Sequence, residues 1–78
     1  MPFSSDHIAE LSLLSQFESS SGQAGIKVHR HDAASETVQA AERLFAKGLI
    51  TQDDGGYLTS LGSEAVELTQ QLQSILTT

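Results

Sequence analysis

A helix terminator followed closely by a hairpin turn is the feature of this sequence that most constrains its fold. Gly48 follows a helical pattern over residues 33–47, at a place where a left-handed glycine commonly ends a helix. Leu49 is then placed to contact Leu44, as in a Schellman motif. Asp53-Asp54-Gly55 comes next and has the composition of a turn. The chain therefore changes from helix to sheet near its middle.

The hairpin consists of two short β-type runs, residues 49–52 and 56–59, on either side of that turn. Ile50 and Leu58 share a face of the hairpin only if an odd number of residues separates the strands. A three-residue loop with Gly55 in the left-handed region meets this condition.

The first helix is predicted over residues 5–19, with Ser4 as its cap and Phe3 and Ile8 spaced as a hydrophobic staple. The run Glu18–Gly22 should end it. One stripe should face the core, with Leu13 on its flank: Ile8, Leu11, Leu14 and Phe17.

A short strand is predicted at residues 25–29, where apolar and polar side chains alternate. Asp32 is placed to cap the second helix at residues 33–47. The apolar spacing predicts a buried face formed by Ala34, Thr37, Val38, Ala41, Leu44 and Phe45.

The last helix should start after a cap at Thr59 or Ser60 and run nearly to Thr78. It carries a heptad seam, with Leu76 beside it: Leu61, Ala65, Leu68, Leu72 and Ile75. The seam either covers the first helix within one chain or pairs with a twofold-related copy, and the spacing leaves both open.

These elements predict a single α+β domain over residues 1–78, in the order helix, strand, helix, strand, strand, helix. The chain has no cysteine, which excludes disulfides and thiolate chemistry and agrees with a reducing cytoplasm. It has no apolar run approaching the ~18 residues of a membrane span and no readable signal peptide.

Charge is distributed very unevenly along the chain. The net charge is −6, and all four basic residues lie between positions 27 and 47 together with three acids. That window carries 4 − 3 = +1, and the remainder of the chain carries 0 − 7 = −7. Positive surface is therefore limited to one region, and the rest should repel a polyanion.

The stretch Ala41–Ile50, with its Lys-Gly-Leu-Ile ending, and the closing Leu58-Thr-Ser-Leu-Gly62 resemble winged-helix regulators of the multiple-antibiotic-resistance type over about residues 33–66. This resemblance implies a winged-helix fold, and it implies a protein that binds duplex DNA by placing its recognition helix in the major groove. The whole chain also resembles a small uncharacterised family of bacterial proteins, some of them described as DNA-binding, in Phe3, the Leu-rich first helix, Gly25–His29 and the wing.

On such a recognition helix Ser35, Glu36, Gln39 and Arg43 would face base edges, and Lys27, Arg30 and Lys47 would meet phosphates. Two features depart from that pattern. The segment between Gly22 and Asp32 is too short for a separate helix, so the helix-turn-helix is truncated, and the wing tip is Asp53-Asp54 rather than basic.

A chain with four cations also falls short of the ~6–10 phosphate contacts of a good DNA binder. A protein partner, or a second copy, is therefore favoured over DNA, which stays the alternative. The candidate protein contacts lie on the wing and the last helix: Thr51, Tyr57, Leu68, Leu72 and Ile75.

The sequence gives little support for metal binding, catalysis or membrane association. His29, His31 and Asp32 resemble part of a metal site, but neither His7 nor another ligand is placed to complete it, so no metal or cofactor is expected. The serines lack a base and carboxylate in recognisable order, so neither an enzyme nor a small-molecule substrate is expected. The acidic to neutral outer face of the last helix argues against a membrane surface.

Overall fold

The computed structural model describes residues 3–19 and 25–78. It contains helices α1 (Ser5–Ser19), α2 (Ser35–Ala46) and α3 (Ser60–Leu76) and strands β1 (Ile26–Lys27), β2 (Ile50–Gln52) and β3 (Gly55–Leu58). The fold is α+β in the predicted order, and it is compatible with a winged-helix topology.

Helix α1 begins where the sequence predicts it, through a reciprocal cap. The amide of His7 donates to Ser4 Oγ at 3.3 Å, and the amide of Ser4 donates to His7 Nδ1 at 3.1 Å. This pairing has the logic of a capping box, with the imidazole in the place of a Glu or Gln side chain. Part of the predicted helix-ending run Glu18–Gly22 lies outside the described residues.

The core lies where α1 and α2 pack on each other and on β2 and α3. The predicted stripe of α1 is only partly correct, because Leu13 is fully buried whereas Ile8 is half exposed. The helix is rotated so that Glu10 joins Leu13, Leu14 and Phe17 on the buried face.

The prediction that Asp32 caps α2 is wrong. The amides of Asp32 and Ala33 both donate to the carbonyl of His29, at 3.0 and 2.8 Å, and this turn delays the helix until Ser35. Ala34 is the N-cap, and its side chain makes no capping hydrogen bond. Residues 28–34 thus contain a turn instead of a helix, in keeping with a truncated helix-turn-helix.

The end of α2 confirms the predicted Schellman motif. The amide of Leu49 donates to Leu44 O at 2.9 Å and that of Gly48 to Phe45 O at 3.0 Å, with Gly48 at φ 81°. Ala40, Ala41 and Leu44 form the buried face of the helix. Ala34 and Phe45, which were predicted to be buried, are exposed because the helix meets α1 along its alanine side.

The sheet has the strand order β1-β3-β2, and both pairings are antiparallel. Ile50 pairs with Leu58 as predicted, whereas Gln52 pairs with Gly55, so a register shift lies between the two pairs. Gly55 and Gly56 both have positive φ there. The first strand is shorter than the predicted residues 25–29, although Val28 is still held by a bond from its amide to Asp54 O at 2.7 Å.

Helix α3 is attached to the hairpin through its first turn. Thr59 is the N-cap: its Oγ1 accepts from the amide of Gly62 at 3.0 Å and donates to Gly48 O at 2.7 Å. Gly62 lies so close to the chain that a Cβ there would be 1.9 Å from Leu49 O. The N-terminal end of α3 is therefore fixed to the end of α2 by backbone contact.

Candidate functional site

Two surfaces carry the residues that the sequence singles out. We call Lys27, Arg30, Arg43 and Lys47 the basic window, which contains the predicted phosphate contacts. We call the apolar residues of the last helix that remain uncovered the α3 surface: Leu61, Leu68, Leu72, Ile75 and Leu76.

Arg43 and Lys47 of the basic window are directed at α1 and share one carboxylate. Arg43 Nε donates to Glu10 Oε2 at 3.0 Å, and Lys47 Nζ donates to Glu10 Oε1. Arg43 also donates to the carbonyl of Asp6 at 3.2 Å. The two cations that would have read bases and phosphates therefore join α2 to α1.

Glu10 is an acid on a buried face, with only 6% of its surface exposed. Burial acts to raise its pKa, but the hydrogen bonds and charges of Lys47 and Arg43 outweigh burial and hold the pKa below its ordinary value. The carboxylate is therefore ionised at neutral pH and compensates both cations within the fold.

Lys27 and Arg30 are paired with the tip of the hairpin. Lys27 Nζ lies 2.5 Å from Asp54 Oδ2, while Arg30 lies 3.2 Å from Asp53 and 2.9 Å from Glu42. The Lys27 hydrogen bond is the main reason that the pKa of Asp54 is lowered. Asp54 thus ties the hairpin to β1, and Arg30 bridges Asp53 of the hairpin and Glu42 of α2.

Every cation of the chain consequently has a carboxylate partner. Ser35 and Gln39 are exposed on α2, and helical spacing places them on the same side as Arg43. Arg43 itself is engaged by α1, so the structure does not bring the predicted base contacts together as one exposed row.

His29 and His31 lie next to the Lys27–Asp54 ion pair. His29, His31 and Asp32 are exposed beside an open pocket of about 300 Å³ that Lys27 and Asp54 also line. Across residues 3–19 and 25–78, no group of three His, Cys, Asp or Glu side chains is arranged to hold a metal ion.

The predicted wing contacts lie on the hairpin and interact with each other. The amide of Tyr57 donates to Thr51 Oγ1 at 2.9 Å, and the Tyr57 side chain is exposed. The ring also packs near Gly25, where a Cβ would come within 3.1 Å of it.

Among the residues that the structure describes, five of the nine exposed large hydrophobic side chains belong to the α3 surface. Its side chains are exposed by 50% at Leu61, 59% at Leu68, 42% at Leu72, 69% at Ile75 and 73% at Leu76. The helix meets the core instead through Gly62, Ala65 and Val66. Of the five residues of the predicted heptad seam, only Ala65 packs against the core, and the four larger residues are exposed.

An apolar groove of about 280 Å³ lies between α1 and α3. Ile8 and Leu11 line it from α1, and Leu72 and Leu76 line it from α3. The α3 surface therefore continues across this groove onto the first helix, where Ile8 is half exposed.

The roles of Glu10 and the wing-tip acids were not predicted from the sequence. A signal for Glu10 was present, because residues 10, 13, 14 and 17 share a helix face and a buried acid requires a cationic partner. No comparable local signal exists for Asp53 and Asp54, whose partners come from distant parts of the chain.

Among the residues that the structure describes, no helix combines the length and the apolar content needed to cross a membrane. No curated protein and no solved structure matches the chain significantly. A family model does match residues 1–77, nearly the whole sequence, and its description is a family of unknown function, DUF5669. The chain belongs to the DUF5669 family.

Proposed function

We propose that this chain is a non-catalytic, winged-helix-like interaction module that binds protein and associates with a second copy of itself through the α3 surface. One observation carries the proposal: five large apolar side chains stay exposed on one helix, while every cation is paired within the fold. Its proposed compartment is the cytoplasm, which agrees with a sequence that lacks cysteine.

The α3 surface supports protein binding because contiguous exposed apolar patches commonly mark interaction sites. Burying such a patch favours association by about 25 cal/mol per Å² of apolar area, from which the entropic costs of association are subtracted. Leu72 and Leu76 extend the patch into the groove beside α1, so a partner that packs on α3 also reaches apolar side chains there.

The ion pairs of the basic window argue against DNA as the main partner. A phosphate would have to compete with Glu10 for Arg43 and Lys47, and with Asp53 and Asp54 for the other two cations. The net charge of −6 opposes the approach of a polyanion from every other direction.

A second copy fits the α3 surface because the C-terminal part of that helix, residues 68–76, contains no charged side chain. Two copies can therefore approach there despite the net negative charge of each. Gln71 and Gln73 flank the apolar residues, and an amide can both donate to and accept from the same amide in another copy.

Sedimentation velocity from micromolar to millimolar protein tests this proposal. We expect a reversible monomer–dimer equilibrium that Leu68→Glu shifts to monomer, because the change places a charge on the apolar surface. Gln70→Glu adds the same charge to the same exposed helix away from that surface, and it should leave the equilibrium unchanged. A wild-type chain that stays monomeric at millimolar concentration would refute self-association.

DNA binding through α2 and the hairpin is the second candidate, because Ser35 and Gln39 are exposed on α2. It predicts that a generic duplex at low salt shifts the amide resonances of residues 35–47 and that added salt reverses the shift. Our proposal predicts no such shift, so a salt-sensitive response there would favour the DNA candidate.

A further inference from the structure

We infer that two copies pair with their α3 helices antiparallel, about a twofold axis that crosses the helix near Leu68 and Leu72. This inference rests on the proposed self-association and specifies its geometry. It follows from three properties of α3: the direction in which its apolar residues are exposed, the placement of its charges, and its dipole.

The direction of exposure leaves room for a second helix. At 3.6 residues per turn, Leu61, Leu68 and Ile75 lie within about 20° of one line along α3. The buried residues Gly62 and Val66 lie roughly 120–160° away around the helix axis, on the side of the core. A second helix that packs along this apolar line therefore approaches α3 from the side that faces away from the core of the first copy.

The charges of α3 separate the two possible orientations. Its two acids, Glu64 and Glu67, are exposed and lie in its N-terminal half, whereas residues 68–76 are uncharged. A parallel, in-register pair would place Glu64 of both copies at the same level, and likewise Glu67. In the antiparallel pair an axis at residue 70, midway between Leu68 and Leu72, separates the two copies of Glu64 by about 18 Å along the helices and the two copies of Glu67 by about 9 Å.

The helix dipole acts in the same direction. In an antiparallel pair, the positive N-terminal end of each α3 lies beside the negative C-terminal end of the other. Glutamates in the N-terminal half of one helix then face the glutamine-rich half of the other, where side-chain amides can donate to a carboxylate. A parallel pair offers neither contact.

Intermolecular paramagnetic relaxation tests the orientation with a chain that has no native cysteine. A nitroxide label is attached to Thr78→Cys, an exposed position just after α3. The labelled protein is mixed with ¹⁵N-enriched wild type, which has no cysteine and therefore carries no label. Only contacts between copies then broaden the ¹⁵N signals. We expect the strongest loss of intensity at residues 61–66, because the antiparallel pair brings the label beside the start of the other α3.

A label at Ser35→Cys, exposed on α2, is the matched control and should broaden residues 61–66 much less. Loss concentrated at residues 72–78 with the Thr78 label would overturn the antiparallel inference while leaving self-association in place. Absence of broadening at millimolar concentration, together with a monomer in sedimentation, would remove both the inference and the proposed function.

Discussion

Helices α2 and α3 are both amphipathic, but the fold uses them in opposite ways. The polar face of α2 is largely engaged inside the molecule, because Arg43 and Lys47 bind Glu10 and Glu42 binds Arg30. The apolar face of α3 is only half used, since Ala65 and Val66 pack on the core while Leu68 and Ile75 remain exposed. The resemblance to DNA-binding regulators directs attention to α2, yet α3 carries the groups that the fold leaves without a partner.

Exposure after folding, and not residue type alone, therefore indicates which surface is available to bind. The basic residues of α2 have the right chemistry for nucleic acid, but binding there requires ion pairs to be broken first. The leucines of α3 need no such step. Substitutions in the two helices should therefore have different effects on stability and on association.

The largest effect is expected for truncation of the α2 core. Leu44→Ala removes a side chain that is 1% exposed, and it should lower the free energy of unfolding by about 2–5 kcal/mol. Leu68→Ala, on the exposed part of α3, should change the stability of the dilute monomer by less than about 0.5 kcal/mol. Urea denaturation at micromolar protein measures both. Equal losses would mean that the α3 surface is part of the monomer core.

Gly62→Ala tests how the start of α3 is attached. Alanine normally favours a helix over glycine by about 1 kcal/mol, but here its Cβ would lie 1.9 Å from Leu49 O. We expect the sign to reverse, with a loss of about 1–3 kcal/mol in the free energy of unfolding. Thermal melts measure this loss. Ser63→Ala, at the exposed neighbouring position, is the control and should be neutral or slightly stabilising. A stabilised Gly62→Ala variant would contradict the close approach.

Acid should weaken the junction between α1 and α2. The pKa of Glu10 is lowered in the folded chain, so its contribution is present above its ordinary value of 4.5 and is lost as the pH falls through the lower, folded value. Glu10→Gln should cost about 1 kcal/mol at neutral pH, because hydrogen bonds to an ionised group are replaced by neutral ones. It should also flatten the decline of stability below pH 4.5. A variant with the same acid profile as wild type would mean that Glu10 does not carry this dependence.

The smallest effect is expected at the exposed end of the basic window. Arg30→Gln removes two exposed ion pairs, with Glu42 and Asp53, and should change the free energy of unfolding by less than about 1 kcal/mol. The difference from wild type should shrink further in high salt, since exposed charges are screened. Chemical denaturation in low and high salt measures this, and a larger, salt-independent loss would contradict a solvent-exposed pair.

Much of the fold follows from local sequence signals. The bounds of α1, the left-handed Gly48, the Ile50–Leu58 pairing and the Thr59 cap are confirmed, because each depends on residues close together in the chain. The start of α2 was not predictable in this way. Asp32 is a good capping residue, but the turn that closes on His29 O uses its backbone first and moves the cap to Ala34.

The candidate site was less accessible to sequence reasoning, because it depends on which side of each helix meets the core. In α1 the apolar pattern favours Ile8 as an inward residue and assigns no role to Glu10. In the structure Ile8 is half exposed and Glu10 is buried, where Arg43 and Lys47 of α2 provide partners for its carboxylate. The heptad seam of α3 was visible from spacing alone, but its division into a packed side and an exposed side depends on the tertiary contacts of Ala65 and Val66.

A single series of amide ¹H–¹⁵N spectra can decide whether α3 or α2 is the binding surface, because it observes both helices in one sample. The protein is first concentrated from micromolar to millimolar and then titrated with a generic duplex at low salt. We predict that concentration shifts the resonances of residues 61–76 and that the duplex leaves those of residues 35–47 in place. The opposite result would show that α2, and not α3, is the binding surface. In that case the α3 resonances stay unchanged with concentration, and the α2 resonances shift when the duplex is added.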